Sequence, residues 1–152
     1  MTNQHGLHFD KTITKWDEAV PLGNGHLGAL VWGNADALRF SLDRADIWDL
    51  TPAPRIFEKD FTYQRIIELV KEKKEDEIRR QFSSVYRNMT PTKLPAGKLI
   101  LHLPSRENVE SRLNFSDAAA ELCTGEIRLE CFIHAEERFG TIRVNLPMEQ
   151  FS

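Results

Sequence analysis

The amino-acid sequence predicts a mainly β fold, an antiparallel β-sandwich into which a helical hairpin is inserted. Short apolar runs separated by polar turns occur before residue 50 and again after residue 95. Such runs are typical of strands joined into a sandwich rather than into a parallel sheet. Between them, over about residues 61–84, the apolar spacing changes from that of a strand to that of a helix.

The first strands are predicted from the alternation of apolar and polar side chains. Residues 7–9 and 12–16 alternate at a period of two, as half-buried strands do. Residues 26–32 and 37–42 form the next two runs. Residues 33–36, G-N-A-D, have the composition of a turn that joins them.

The segment 23–28, G-N-G-H-L-G, admits two interpretations. It satisfies the G-x-G-x-x-G pattern of dinucleotide-binding folds, which has meaning only between a buried strand and a helix. Pro21 interrupts the residues before it, and the run that follows, 29–32, is too short for a helix. Asn24-Gly25 is the strongest short-range signal for a β-hairpin, whose two central residues need positive φ. We therefore predict a hairpin centred on Asn24-Gly25.

The inserted segment is predicted to form two helices packed as an α-hairpin lying on a sheet. Asp60 or Thr62 can cap the first helix. The polar run 71–76 separates two apolar stripes at helical spacing. The stripes consist of Ile66, Ile67, Leu69 and Val70, and of Ile78 and Phe82.

After Pro91 and Pro95 the strand pattern returns, with Thr124-Gly125 as a turn. The predicted strands are 98–103, 112–115, 118–123, 126–134 and 140–146.

Composition excludes several classes of protein. The chain has 152 residues, about one domain, and a formal net charge of −3, which leaves no basic surface for nucleic acid. No apolar run approaches the roughly 20 residues of a membrane helix. Residues 1–6 lack a basic, apolar leader, so the protein is expected to be cytoplasmic if Met1 is the native start.

The residue types that hold metals and cofactors are scattered. The two cysteines, Cys123 and Cys131, fall in predicted strands and are expected to be small buried residues rather than a disulfide. The five histidines show no H-x-x-H or H-E-x-x-H spacing, and the chain contains no P-loop and no G-x-S-x-G elbow. We expect neither a metal nor a cofactor.

Several blocks of sequence, in a fixed order, carry a family resemblance. They are Trp16 with residues 18–29 (E-A-V-P-L-G-N-G-H-L-G-A), residues 40–48 (F-S-L-D-R-A-D-I-W), residues 95–101 (P-A-G-K-L-I-L), residues 112–115 (R-L-N-F) and residues 127–132 (I-R-L-E-C-F). The chain resembles the N-terminal domain of glycoside hydrolase family 95, known for α-L-fucosidases and related α-L-galactosidases. It departs from the family pattern at Ala96 and at His134-Ala135.

The resemblance implies a large two-sheet sandwich that packs against a catalytic (α/α)6 helical barrel. By that comparison residues 1–152 are the N-terminal domain of a longer enzyme, end before the sandwich is complete, and do not include the barrel. The family's catalytic carboxylates, which serve an inverting hydrolysis without metal, belong to the barrel, and nothing in this chain matches their motifs. No catalytic residue is therefore expected here.

Four residues are candidates for reaching the pocket of the neighbouring barrel: Asn24, His26, Asp46 and Trp48. They are polar or aromatic and lie on predicted turns, where binding residues concentrate. Trp48 precedes a proline-containing loop and offers an indole face for a sugar ring. Most carboxylates of the chain are instead expected to be solvated surface groups.

Two functions of different classes follow. The first is the non-catalytic front domain of a family 95-like hydrolase acting on α-L-fucosyl or similar linkages, with the downstream barrel and an oligosaccharide as its partners. The alternative is a stand-alone carbohydrate-binding or interaction module that performs no chemistry.

Overall fold

A computed structural model describes residues 5–83 and 91–147. In chain order the strands are β1 Gly6–Phe9, β2 Val20–Gly23, β3 Leu27–Trp32, β4 Leu38–Arg44, β5 Trp48–Asp49, β6 Thr92–Lys93, β7 Gly97–Leu101, β8 Glu110–Asn114, β9 Ala119–Thr124, β10 Ile127–Ile133 and β11 Gly140–Asn145. The α-helices are α1 Tyr63–Lys71 and α2 Glu75–Gln81. The chain divides into two compact units, residues 1–46 with 95–152, and residues 47–94.

The first unit is an antiparallel β-sandwich, which confirms the predicted fold class. One sheet has the strand order β1-β8-β9-β10-β11 and the other β2-β3-β4-β7. Alternate residues of each strand face the space between the sheets, as the period-two pattern predicts. The core between them is built from Ile13, Val20, Leu22, Ala29, Val31, Ala35, Leu38, Phe40, Val109, Leu113, Ala120, Leu122, Ile127, Leu129 and Cys131.

The predicted hairpin is present, but its turn lies one residue further along the chain. Strand β2 pairs with β3 up to Gly23 and Gly28, and the Asn24 amide donates to the Leu27 carbonyl over 3.1 Å. Gly25 alone of the central residues has positive φ, at 88°, as the first position of a type II′ turn requires. A strand, not a helix, follows the glycines, so the dinucleotide pattern has no structural basis.

The predicted strand at 12–16 is wrong. Thr12 is held instead by side-chain bonds to the segment before β8: its amide donates to Asn108 Oδ1 over 2.6 Å, and its Oγ1 accepts from the Val109 amide over 2.9 Å. The Ile13 carbonyl accepts from the Gly33 amide over 2.8 Å. These isolated bonds replace a ladder, and residues Trp16–Glu18 then form a single 3₁₀ turn.

The second unit contains the two predicted helices and a short pair of strands. Thr62 caps α1, since its hydroxyl accepts from the Arg65 amide over 3.2 Å, and the rings of Phe61 and Phe82 lie 5.0 Å apart. Strands β5 and β6, which the sequence pattern did not predict, pair at the base of the insertion. Residue 84, the predicted end of the insertion, lies outside the described residues. Neither described helix is long and apolar enough to cross a membrane.

Candidate functional site

Asn24 connects the β2–β3 turn to a distant loop. Its Oδ1 accepts from the backbone amides of His26 and Leu27 over 2.9 and 2.8 Å, which shapes the turn. Its Nδ2 donates to the carbonyls of His134 and Glu137 over 2.9 and 3.1 Å. Both ends of this side chain are therefore occupied within the chain, and Asn24 acts here as a structural bridge.

The loop that Asn24 holds, residues 134–139, is ordered from within by His134. Its Nδ1 accepts from the backbone amides of Glu136 and Glu137 over 3.3 and 3.0 Å. The imidazole also lies against the ring of Phe139, with 5.0 Å between the centroids. The loop therefore presents Arg138 from a fixed backbone beside the turn.

His26, Arg44, Asp46 and Arg138, with Leu27, line a small cavity of about 50 Å³. Arg44 donates to both carboxylate oxygens of Asp46, with Nε–Oδ1 at 3.0 Å and Nη2–Oδ2 at 2.7 Å. This hydrogen-bonded pair holds the pKa of Asp46 below its usual value. The cavity has room for water but not for a sugar ring, so by itself it forms only one wall of a pocket.

The fourth candidate, Trp48, belongs to the second unit. It pairs with Lys93 in the β5–β6 ladder, and the Lys93 ammonium lies 5.9 Å from the centre of the indole ring. About half of the Trp48 surface is exposed, at 49%. Next to it, the carboxylate of Asp49 is hydrogen-bonded by the Thr51 side chain and also accepts from the Thr51 amide over 2.9 Å, and in that order these bonds lower its pKa.

The structure therefore brings His26 and Asp46 to one cavity, with Asn24 in the adjoining turn, whereas Trp48 lies in the other unit. Whether these residues contact a substrate stays a prediction. Sequence reasoning missed Arg44 and Arg138. Arg44 ends β4 and Asp46 lies in the turn that follows, and opposite charges only two residues apart are the local signal for their pairing. No sequence pattern near Arg138 indicates that this residue lines the cavity.

The shifted carboxyl groups do not have the properties of a general acid. Those of Asp46, Asp49, Asp60, Glu72 and Glu77 all have a lowered pKa, each because of a hydrogen bond to its carboxylate. A glycosidase acid needs a pKa raised by an apolar or anionic surrounding. Among residues 5–83 and 91–147, no three His, Cys, Asp or Glu side chains are arranged to hold a metal ion.

The two thiols differ in environment, and we expect them to differ in reactivity. Burial raises the pKa of Cys131 to about 12 from the ordinary 9.0, a roughly 1,000-fold lower thiolate fraction at pH 8. Cys123 is half-buried, with Arg128 Nη1 at 3.8 Å from its sulfur. Iodoacetamide at pH 8 should therefore alkylate Cys123 and spare Cys131, as peptide mass spectrometry of the folded protein would reveal.

The control is the same reaction in guanidinium chloride, where both cysteines should react at similar rates. Equal rates in the folded protein would contradict the buried position of Cys131.

The burial of Cys131 also makes the stability of the fold depend on pH. Because folding raises the pKa of Cys131, its contribution to stability is present below pH 9 and is lost as the pH rises toward 12.

We expect Asn24→Asp to loosen the 134–139 loop. The substitution keeps the oxygen that shapes the turn but places a second, anionic oxygen against the carbonyls of His134 and Glu137. Losing two donors at a half-buried site should lower the free energy of unfolding by about 1–3 kcal/mol. Amide hydrogen exchange in residues 134–139 should rise, whereas exchange in β8 and β9 should not. Unchanged exchange in the loop would show that Asn24 does not hold it.

Comparison with known proteins now gives the class of this domain. Residues 7–144 match the family model described as glycosyl hydrolase family 65, N-terminal domain. The match covers most of the chain, and the chain belongs to this family of glycoside hydrolase N-terminal domains.

Part of the chain is also similar to a curated protein. The chain is similar to alpha-L-fucosidase 2 of Arabidopsis thaliana, with 33% identity over 66 residues. The similar segment is 43% of this chain and 7% of that protein, so the chain spans only a small part of its relative. The family match thus agrees with the predicted glycoside hydrolase N-terminal domain, and the fucosidase similarity concerns less than half of it.

Proposed function

We propose that this chain is the non-catalytic N-terminal domain of a family 95-type glycoside hydrolase, which cleaves α-L-fucosyl or closely related linkages with inversion. The observation that carries the proposal is the family match over residues 7–144, joined to the similarity to an alpha-L-fucosidase. The sandwich fold agrees with this role. In this proposal the catalytic carboxylates belong to an (α/α)6 barrel elsewhere in the same polypeptide.

The carboxylate chemistry of the described residues supports a non-catalytic role. An inverting hydrolase needs one protonated acid and one base on opposite sides of the sugar, about 6.5–9.5 Å apart. Asp46, the candidate closest to a cavity, is kept ionised by Arg44 and faces a space of only about 50 Å³. It is suited to orienting neighbouring groups rather than to donating a proton.

Two inward-facing apolar residues that are poorly covered support the proposal that additional strands pack against this sandwich. Leu99 on β7 is paired with buried Phe40, and Val144 on β11 with buried Leu129, so both face inward. They are nevertheless 40% and 38% exposed. Leu99 also lines a largely apolar cavity of about 210 Å³ between the two sheets. Apolar side chains facing inward without cover are expected where additional strands complete a sandwich.

The unit of residues 47–94 carries the most exposed apolar side chains. Tyr63, Leu50 and Phe57, at 77%, 76% and 72%, are the three most exposed large apolar residues of the described chain. Strongly exposed apolar side chains are candidates for a protein interface when they are covered in the full polypeptide. We propose that these side chains contact the barrel.

The test uses an antibody raised against residues 1–152 to capture the native polypeptide from the cells that make it. The captured protein should be much larger than 17.5 kDa and should hydrolyse 4-nitrophenyl α-L-fucoside, with the β-anomer of fucose appearing first by proton NMR. The isolated 152-residue chain should release no nitrophenol. Hydrolysis by the isolated chain, or a native protein of 17.5 kDa, would overturn the proposal.

A polar cavity on the outer face of the five-stranded sheet favours the second candidate, a carbohydrate-binding module without catalysis. The two candidates predict different properties for the captured protein. A native protein of 17.5 kDa that binds oligosaccharide and has no hydrolase activity would favour the module.

A further inference from the structure

The outer face of the five-stranded sheet holds a cavity of about 390 Å³, within the usual range of small-molecule sites. Its floor is one row of paired residues, in which Gly6 lies opposite Asn114 and Asn114 opposite Ala119. Gly6 has no side chain and Ala119 has only a methyl group, so the floor lies lower than the neighbouring rows. This depression runs across three strands.

One wall of the cavity is the next row of the ladder, which is charged. His8 lies opposite Arg112, Arg112 opposite Glu121, and Glu121 opposite Glu130. Glu130 is neutralised by Arg143 through a bond of 2.7 Å, and Glu121 has Arg112 directly opposite on its other side. The row therefore presents charged groups of both signs to the cavity.

Arg112 and Glu121 are open to a ligand. They lie directly opposite each other, yet within the part of the chain that the structure describes no ion pair or hydrogen bond joins their side chains to any group. Both are exposed. The wall therefore offers the N–H donors of the Arg112 guanidinium beside the two carboxylate oxygens of Glu121, which can accept hydrogen bonds.

The opposite rim is fixed in place. Asp117, in the turn after β8, accepts from Asn114 Nδ2 and from the Ala119 amide, each over 3.1 Å. This carboxylate still has unused lone pairs directed outward, and it cannot swing away without breaking both bonds. The cavity thus has charged groups on both sides of a low floor, at whose centre lies Asn114.

The charges select the class of ligand. Arg112 and Glu121 offset each other, and Glu130 is neutralised by Arg143, so Asp117 leaves the lining slightly negative and unsuited to an anion. The described residues provide no three-ligand set for a metal ion. Open donors and acceptors around a space of little net charge match hydroxyl groups, which both donate and accept. We propose that this cavity binds a neutral oligosaccharide, with Glu121 accepting from sugar hydroxyls and Arg112 donating to them.

The site lies on a sheet face that contains none of the four residues considered for the barrel pocket. Its existence does not depend on which reaction the parent enzyme catalyses. Binding at a second point raises the effective concentration of a polymer at the enzyme without any change in chemistry.

The experiment is a titration of the ¹⁵N-labelled 152-residue chain with 2′-fucosyllactose and with cellotriose, both neutral, up to millimolar concentrations. At least one should shift amide signals of β1, β8 and β9 while leaving those of β3 and β4 unchanged. Sialyllactose, which adds a negative charge, should bind more weakly than the neutral sugars. No shift in the three strands with either neutral sugar would overturn the proposal.

Variants locate the site within the sheet. Arg112→Ala should weaken binding about tenfold, the usual loss for one charge-assisted hydrogen bond, and Ala119→Tyr should abolish binding by filling the floor. Arg128→Ala is the matched control, because Arg128 is an exposed arginine on the same face that does not line the cavity. Equal affinities of the Arg112 and Arg128 variants, or unchanged binding by Ala119→Tyr with a native spectrum, would exclude this site.

Discussion

Replacing Phe40 by alanine is expected to lower the free energy of unfolding by about 3–5 kcal/mol, the usual loss for a fully buried phenylalanine. Phe40 is 2% exposed and lies on a central strand of the four-stranded sheet, between Val31 on β3 and Leu99 on β7. Its ring lies between the two sheets and lines the apolar cavity of about 210 Å³, so its removal would enlarge a space that is already unfilled. Denaturation by urea, followed by circular dichroism, measures the loss.

Phe115→Ala is the matched control, since Phe115 is 56% exposed at the end of β8. Removing the same ring there should cost about 1 kcal/mol or less. If the two variants unfolded at the same urea concentration, the result would contradict the packing of Phe40 between β4 and the five-stranded sheet.

Gly33→Ala is expected to lower the free energy of unfolding by at least about 2 kcal/mol, from two separate causes. The backbone of Gly33 has a φ of +108°, which residues with a Cβ rarely adopt. A Cβ at this position would also collide with the carbonyl oxygen of Ala37 and lie 3.0 Å from Arg39 Nη1. Gly33 is buried where its amide binds the Ile13 carbonyl, so the chain has little room to move.

Gly25→Ala separates these two causes. Gly25 also has positive φ, +88°, but a Cβ there would meet no atom within 4 Å. Only the conformational penalty remains, about 1 kcal/mol. Thermal unfolding of both variants measures the difference, which reports the steric collision alone. A Gly25 variant as unstable as the Gly33 variant would show that the collision contributes nothing.

The elements that the sequence predicted correctly are those determined by local pattern. The hairpin after Gly23 needs only a glycine with positive φ between two apolar runs, although its turn centres on Gly25-His26 and not on Asn24-Gly25. The two helices need only their apolar stripes and the Thr62 cap. The segment 12–16 has the same alternation as a strand, yet its bonds go to Asn108 and Gly33. A partner about 96 residues away leaves no trace in a period-two pattern, so periodicity alone assigned it wrongly.

In the candidate site, too, some contacts are set by residues close in sequence and others by residues far apart. The β3–β4 pairing puts Leu27 opposite Arg44, and this short-range contact brings His26 and Asp46 to one cavity. The position of Arg138 depends on Asn24 reaching a loop 110 residues away. Such contacts follow from the assembled sandwich rather than from the residues near each end.

The direct pairing of β4 with β7, from Leu38 opposite Leu101 to Leu42 opposite Gly97, has a consequence for how such chains can diverge. The sheet is continuous across the point where residues 47–94 leave and return, so its hydrogen bonds do not depend on what that loop contains. Closing a loop costs entropy only as the logarithm of its length, about 0.6 kcal/mol for each doubling. Insertions, deletions or whole replacement segments can therefore accumulate between β4 and β7 while the sandwich stays the same.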